Sequence, residues 1–222
     1  AGDARLVADA LVLDAAGAHF TVRFDGESLG DVHLAVPGVH NVRNALAAIG
    51  AGLALGCSVP AMAPGLAAFR GVERRFQRLG REGGIDVVDD YAHHPTEVTA
   101  TLAAARHAFP GRRLVLAFQP HLYSRTRDLQ AEFAEALAAT DVLLLCDIYG
   151  ARETPEPGVT SALIGDRLPR EVLRWQGPRS EAAAAIVAVA QEGDVVLTMG
   201  AGDITQVGPD VLARLRATPS HH

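Results

Sequence analysis

The sequence predicts an α/β protein in which a mostly parallel, helix-covered sheet follows a smaller and incomplete N-terminal unit. Three observations predict it. From Ile85 onward, short runs rich in Val, Leu and Ile alternate with longer helical stretches. These runs lack polar alternation, as strands do when both faces of a parallel sheet are covered. Two of them, Ile85 to Val88 and Leu114 to Phe118, run straight into clusters of polar side chains. Right-handed crossovers set the ends of consecutive parallel strands on one sheet edge, so these clusters are expected near each other. The C-terminal part is therefore expected to be a Rossmann-like three-layer unit.

Residues 1 to 36 read as three short strands, Leu6 to Leu13, Ala18 to Phe24 and Asp31 to Val36, with turns at Ala16-Gly17 and Asp25-Gly26. Asp-Gly is a strong two-residue hairpin signal because both positions accept a positive φ. Pro37-Gly38 breaks the pattern. A helix is expected from about Asn41 to Leu55, closed by Gly56, and a second from Pro60 to Phe69. Gly71 and the arginine-rich stretch Arg74 to Arg81 mark a boundary, giving domains at 1–71 and 72–220. Beyond it, strands are expected at 85–89, 113–118, 141–146, 171–175 and 194–199. Helices are expected at 95–108, 127–139, 160–168, 179–191 and 203–216. The first domain has no opening strand of its own and reads as the tail of a larger one. His221-His222 resembles the start of a purification tag and is set aside.

Composition narrows the function. At 222 residues and 49% apolar content, the chain has ample material for a core. A net charge of −6 argues against a nucleic-acid or membrane-surface partner, which would require a basic face. No apolar run reaches membrane-spanning length. Cys57 and Cys146 read as small buried residues of a reducing compartment, with the cytoplasm the expected location. All 20 basic residues are arginine, so no lysine-dependent phosphate loop is complete within the chain.

The chemistry-bearing residues gather at strand-to-helix turns. Asp89-Asp90-Tyr91-Ala92-His93-His94-Pro95-Thr96-Glu97 crowds two carboxylates, a phenol and two imidazoles into one turn. Ligands in open α/β sheets bind at such turns. Asp89 and Asp90 suit ribose hydroxyls or a metal; alternatively, a carboxylate caps the helix opening at Pro95. Gln119-Pro120-His121-Leu122-Tyr123-Ser124-Arg125-Thr126 follows the next strand, with Arg125 a natural carboxylate clamp. Asn41 and Asn44, the only asparagines, lie three residues apart at a helix start beside His40. Their amides can read a purine edge; equally, Asn41 can simply cap the helix. Arg74-Arg75 can grip phosphate or lie solvated on a linker. Gly200-Ala201-Gly202-Asp203 is a weak dinucleotide fingerprint, more in keeping with a tight turn whose helix N–H groups could face a ligand. His93, His94, His121 and Asp90 are also residue types that ligate zinc, although without a recognised spacing.

Taken together, these segments resemble the Mur ligases. The resemblance rests on Pro-Gly-Val-His-Asn-Val-Arg-Asn-Ala at 37–45, Gly-Val-Glu-Arg-Arg-Phe at 71–76, the 89–97 turn, Phe-Gln-Pro-His-Leu-Tyr-Ser-Arg-Thr-Arg-Asp-Leu at 118–129, and Gly-Ala-Gly-Asp-Ile at 200–204. Segment 119–125 points, within the family, to the branch that adds L-alanine. The resemblance implies ATP-dependent amide formation on UDP-N-acetylmuramate through an acyl phosphate. It implies that residues 1–71 end a central ATP-binding domain and that 72–220 form a C-terminal lid. His40, Asn41, Asn44, Arg75 and Asp90 would then serve ATP, and Tyr91, His93, His121 and Arg125 the amino acid. Arg75 and His93 are its catalytic candidates. Leu122 stands where many family members carry arginine. ATP and Mg2+ are the implied cofactors, with the Mg2+ ligands and remaining domains of the same enzyme lying upstream, so the chain alone is expected to be inactive. Two other classes compete: a metal-dependent hydrolase built on Asp90, His93, His94 and His121, and a non-catalytic binding module.

Overall fold

The computed structural model of the chain describes residues 4–14 and 16–217; His221-His222 lie outside them. Two compact units emerge, one built from the chain up to Gly71 with Ala103–Pro110, the other from Val72–Leu102 and the chain from Gly111 onward.

In the first unit, β1 (Leu6–Asp14), β2 (Gly17–Phe24) and β3 (Glu27–Leu34) form an antiparallel meander. Phe24 pairs with Glu27 across Asp25-Gly26, whose φ values of 50° and 86° are the paired positive angles a two-residue hairpin turn needs. Asp-Gly thus folds as its composition predicts, and the third strand simply starts four residues earlier than expected. α1 (Val39–Ala54) and α2 (Val59–Ala68) follow. Val42, Ala45 and Ile49, at helical spacing, bury into a core with Phe20, Val22, Val32 and Leu34. Cys57 is exposed, contrary to expectation. It lies just past the positive-φ Gly56 that ends α1, where the chain has left the core.

The second unit holds a six-stranded sheet: β4 (Gln77–Glu82), β5 (Ile85–Asp90), β6 (Leu114–Phe118), β7 (Val142–Cys146), β8 (Leu173–Gly177) and β9 (Val195–Met199). Their order is β4-β5-β9-β6-β7-β8, with β4 antiparallel at one edge and the rest parallel. β4 is a correction, since its charged sequence QRLGRE reads as linker. It forms because an edge strand needs pairing on one side only and tolerates arginines on its free face. The α/β class with a mostly parallel sheet is as predicted. Side-chain alternation splits the five parallel strands between two faces. Val87, Val115, Ala117, Val142, Leu144 and Val196 pack with Ile186, Val207 and Val211 on one of them.

The helices are α3 (Pro95–Ala108), α4 (Tyr123–Asp128), α5 (Gln130–Leu137), α6 (Ala162–Gly165), α7 (Arg179–Val189) and α8 (Val207–Ala217). The single helix expected at 127–139 is two, broken at Leu129, where φ −116° departs from helical geometry. The last helix is preceded by a 3₁₀ turn over Asp203–Gln206. Because β9 enters between β5 and β6, Asp90, Met199 and Phe118 share one register level. Three strand ends, and the turns after them, therefore lie side by side.

Candidate functional site

The site is built from those three turns. The backbone N–H of Gly200 donates to the Asp90 carbonyl at 3.1 Å, and that of Gln119 to the Met199 carbonyl at 3.0 Å. The sheet ladder thus continues one residue into the loops. The glycine turn is shaped by packing. A Cβ at Gly202 would lie 2.5 Å from Gln119 Oε1 and 2.6 Å from Tyr149, and one at Gly200, 2.7 Å from the Gln119 carbonyl. Buried Gln119 fastens this turn, donating to Asp203 at 2.8 Å and accepting from the Ile204 N–H at 3.1 Å.

Asp89 is fully buried and accepts from the hydroxyls of Thr198 at 2.6 Å and Thr205 at 2.9 Å, with Arg74 Nε at 3.4 Å. Arg74 also donates to the carbonyls of Gly200 and Gly202 at 2.5 and 3.2 Å and lies 4.8 Å from the Tyr91 ring centre. Rather than lying solvated on a linker, it ties the first and third turns together. Asp90, also buried, accepts from the backbone N–H groups of Phe76 and Ala92 at 2.7 and 2.8 Å. Burial pushes its carboxyl above the usual range, against the opposing pull of those amides and of Arg75. Neither aspartate caps the helix opening at Pro95. That place falls to exposed His94, whose Nδ1 accepts from the Thr96 N–H at 3.4 Å.

Tyr91, His93, His121 and Arg125 are brought together. The His93 ring lies 5.1 Å from Tyr91 and 5.8 Å from His121, both edge-on. Arg125 Nη1 reaches the His93 carbonyl at 3.4 Å. His121 stacks on Tyr149 at 5.8 Å. Burial holds the His121 imidazole below its ordinary pKa, assisted by Arg125 and His93 and opposed by Glu153. Arg75 remains exposed, 3.9 Å from Glu97 and 5.5 Å from the centre of the Tyr91 ring. Leu122 adopts φ 73° and ψ 135°, a region that side chains avoid, and this opens α4 so that Tyr123 and Arg125 follow the turn at once.

In the first unit, His40, Asn41 and Asn44 occupy the opening turns of α1, with Asn44 exposed. Asn41 does not cap the helix, because Gly38 takes that place at φ 103°. Its amide instead donates back to the Pro37 carbonyl at 2.7 Å.

Sequence reasoning passed over Tyr149 and Glu153, and it named Arg74, Asp89 and Glu97 without the contacts found for them here. Glu97 had a signal, standing four residues after His93 on the same helical edge. Tyr149 had none, being joined to His121 only by a bridge between loops. Among the described residues, no group of three or more His, Cys, Asp or Glu side chains is placed to hold a metal ion. Asp90 is committed to backbone amides and His94 to a helix end, so the four-residue metal-hydrolase constellation is not assembled.

The class that fold and site define is a ligase family. The model described as Mur ligase, glutamate ligase domain matches residues 74–202, and the chain belongs to the Mur ligase family. Among curated proteins it is similar to the UDP-N-acetylmuramate–L-alanine ligases of Saccharopolyspora erythraea, 51% identical over 88% of this chain and 40% of that protein, and of Salinibacter ruber, 48% identical over 83% and 40%. Among solved structures, the UDP-N-acetylmuramate–alanine ligase of Thermotoga maritima is 28% identical, with a TM-score of 0.83 over 99% of this chain and 47% of that one. A murein peptide ligase from Psychrobacter arcticus matches at 26% identity and a TM-score of 0.67. The chain spans about 40% of the length of the curated relatives it matches.

Proposed function

We propose that this chain is part of an ATP-dependent ligase that joins L-alanine to UDP-N-acetylmuramate. The observation that carries it is the convergence of Tyr91, His93, His121 and Arg125 in a chain 51% identical to a ligase of that name. An amino acid offers a carboxylate and an amine; the cluster offers a guanidinium for the first and an imidazole for the second. In this reading ATP converts the muramyl carboxylate to an acyl phosphate, which the alanine amine attacks. Catalysis is then largely positioning and electrostatics.

Residues 1–71 are assigned to the end of the ATP-binding domain and 72–220 to the C-terminal ligase domain. His40, Asn41 and Asn44 are assigned to the nucleobase, Arg75 to the phosphates, and Asp90 to the ribose side, where it also fixes the turn through Phe76 and Ala92. Mg2+ would neutralise the transferring phosphoryl group. Its ligands, the phosphate-loop lysine and the sugar site are assigned to the remainder of the polypeptide. Among the described residues no helix is long and apolar enough to cross a membrane, and we place the enzyme in the cytoplasm, where its nucleotide substrates reside.

Arg125 is the test. Losing the partner of a desolvated carboxylate costs about 2–5 kcal/mol. In the intact ligase, Arg125→Ala is expected to raise the KM for alanine by about tenfold or more while leaving that for ATP nearly unchanged. Equal effects on both substrates would overturn the amino-acid assignment, and an intact polypeptide without turnover would favour a non-catalytic module.

A further inference from the structure

His93 and His121 are bonded in opposite senses. His93 Nδ1 lies 3.0 Å from the Tyr91 carbonyl and 3.3 Å from Glu97 Oε2. A carbonyl oxygen only accepts, so this nitrogen carries the proton and Nε2 of the neutral ring is bare. Glu97 fixes the residue from a second direction, since the same Oε2 accepts the His93 backbone N–H at 3.0 Å. His121 is the reverse case. Its Nδ1 is buried without a hydrogen-bond partner, while the residue as a whole is only half-buried. An unpartnered N–H in the interior is rarer than an unpartnered acceptor, so the proton belongs on Nε2.

We propose that Glu97 is a positioning residue that, together with the Tyr91 carbonyl, holds His93 as the Nδ1–H tautomer, while His121 is held as the Nε2–H tautomer, so that the two rings offer an amino-acid substrate one bare nitrogen and one N–H. The inference rests on the amino-acid site proposed above. It divides the labour between the rings. His121, with Arg125, donates to the substrate carboxylate. His93 Nε2 takes a proton from the substrate ammonium, and the resulting amine attacks the acyl-phosphate carbonyl carbon. The C–N bond forms, the C–O bond to phosphate breaks, and the second amine proton leaves on the released phosphate. The charged and titratable groups facing His93 are Glu97 on α3, Arg75 before β4, Tyr91 and His94 on its own turn, and His121 and Arg125 after β6. Glu97 is the only carboxylate among them, so its charge, with the Tyr91 carbonyl on the same Nδ1–H, stabilises the imidazolium formed in this step.

The tautomers are read directly by nitrogen NMR of this chain labelled at histidine. His93 is expected to show a protonated Nδ1 and His121 a protonated Nε2. Glu97→Ala is expected to give His93 a mixture of tautomers, and Glu97→Gln, which keeps an acceptor oxygen, to preserve the wild-type pattern. The same tautomer in both rings, or an unchanged His93 in Glu97→Ala, overturns the inference whatever the enzyme's substrate. In the intact ligase, Glu97→Ala should lower kcat by about tenfold, a part of the roughly 10²- to 10⁴-fold that general acid–base catalysis typically contributes. The KM for alanine should change less than kcat does. A change confined to KM would leave Glu97 a binding residue and sink the positioning role. Failure of the wild-type ligase to use alanine would sink the proposed function instead, leaving the tautomer result intact.

Discussion

At the scale of single residues, two neighbouring carboxylates and a third on the next helix behave differently because of what surrounds them. Asp89 is enclosed by two hydroxyls and Arg74. Removing it leaves those donors unpaired inside the fold, so Asp89→Ala should lower stability by about 2–4 kcal/mol, read as a lower urea midpoint at unchanged slope. A cost below about 0.5 kcal/mol would show that Asp89 is not the anchor described. Asp90 and Glu97 respond to pH in opposite directions. Burial raises Asp90, so its contribution is full below the unfolded-state pKa and is lost as pH rises through the folded one. For Glu97, burial pushes upward, but the His93 N–H, the His93 ring and Arg75 outweigh it and hold the carboxyl low. Its contribution is full above the unfolded value of about 4.3 and is lost as pH falls through the folded one. Glu97→Gln should therefore lose less stability than the wild type when urea midpoints are compared at about pH 7 and about pH 3.5. A larger loss in the variant would reverse the sign assigned to Glu97.

At the scale of elements, the departures from the sequence reading have local causes. β4 is strand because β5 offers it an antiparallel edge, although its own composition argues for a linker. The helix after β6 begins early because Leu122 accepts an unfavourable backbone angle, fixed by its N–H to the Tyr149 carbonyl at 3.0 Å and by Thr126, which returns two bonds to its own carbonyl. The turn after β9 is glycine because the Gln119 backbone lies against it. Gly200 has φ 149°, and an added Cβ would meet a carbonyl oxygen at 2.7 Å, which is backbone and cannot swing away. Gly200→Ala should thus cost about 2 kcal/mol or more in unfolding experiments and shift the resonances of Gln119 and Asp90. An alanine variant as stable as wild type would show that the turn relaxes freely.

At the scale of the whole molecule, each unit carries its own core, and this bears on what can fold alone. All six strands of the larger sheet and the helices α4–α8 lie after Val72. A chain beginning at Val72 is expected to unfold in one cooperative step, with circular dichroism and the fluorescence of Trp175, the only tryptophan, giving the same midpoint. Separate midpoints would mean that the larger unit depends on the first 71 residues. All the contacts drawn on for the amino-acid site, including the His93 and His121 pair, fall within this larger unit.

What the sequence by itself determined is the class of fold and the location of the chemistry. Unbroken apolar runs such as LVLAF and VLLLC are compatible only with burial on both faces, and polar residues directly after them must lie at the sheet's carboxyl edge. The motifs at 71–76, 89–97 and 118–129 carried the family, and the family model spans 74–202. What only tertiary structure decided is which polar atoms find each other. The insertion of β9 between β5 and β6 is a choice among crossovers that no local pattern encodes, and it sets Gly200 against Asp90 and Gln119. The same holds for Asp89 spent on Thr198 and Thr205, for Tyr149 laid on His121, and for a buried His121 nitrogen without a partner. Periodicity reports which face of an element is buried. Hydrogen-bond pairing between distant loops depends on distances of a few tenths of an ångström, and those are fixed only when the whole sheet is assembled.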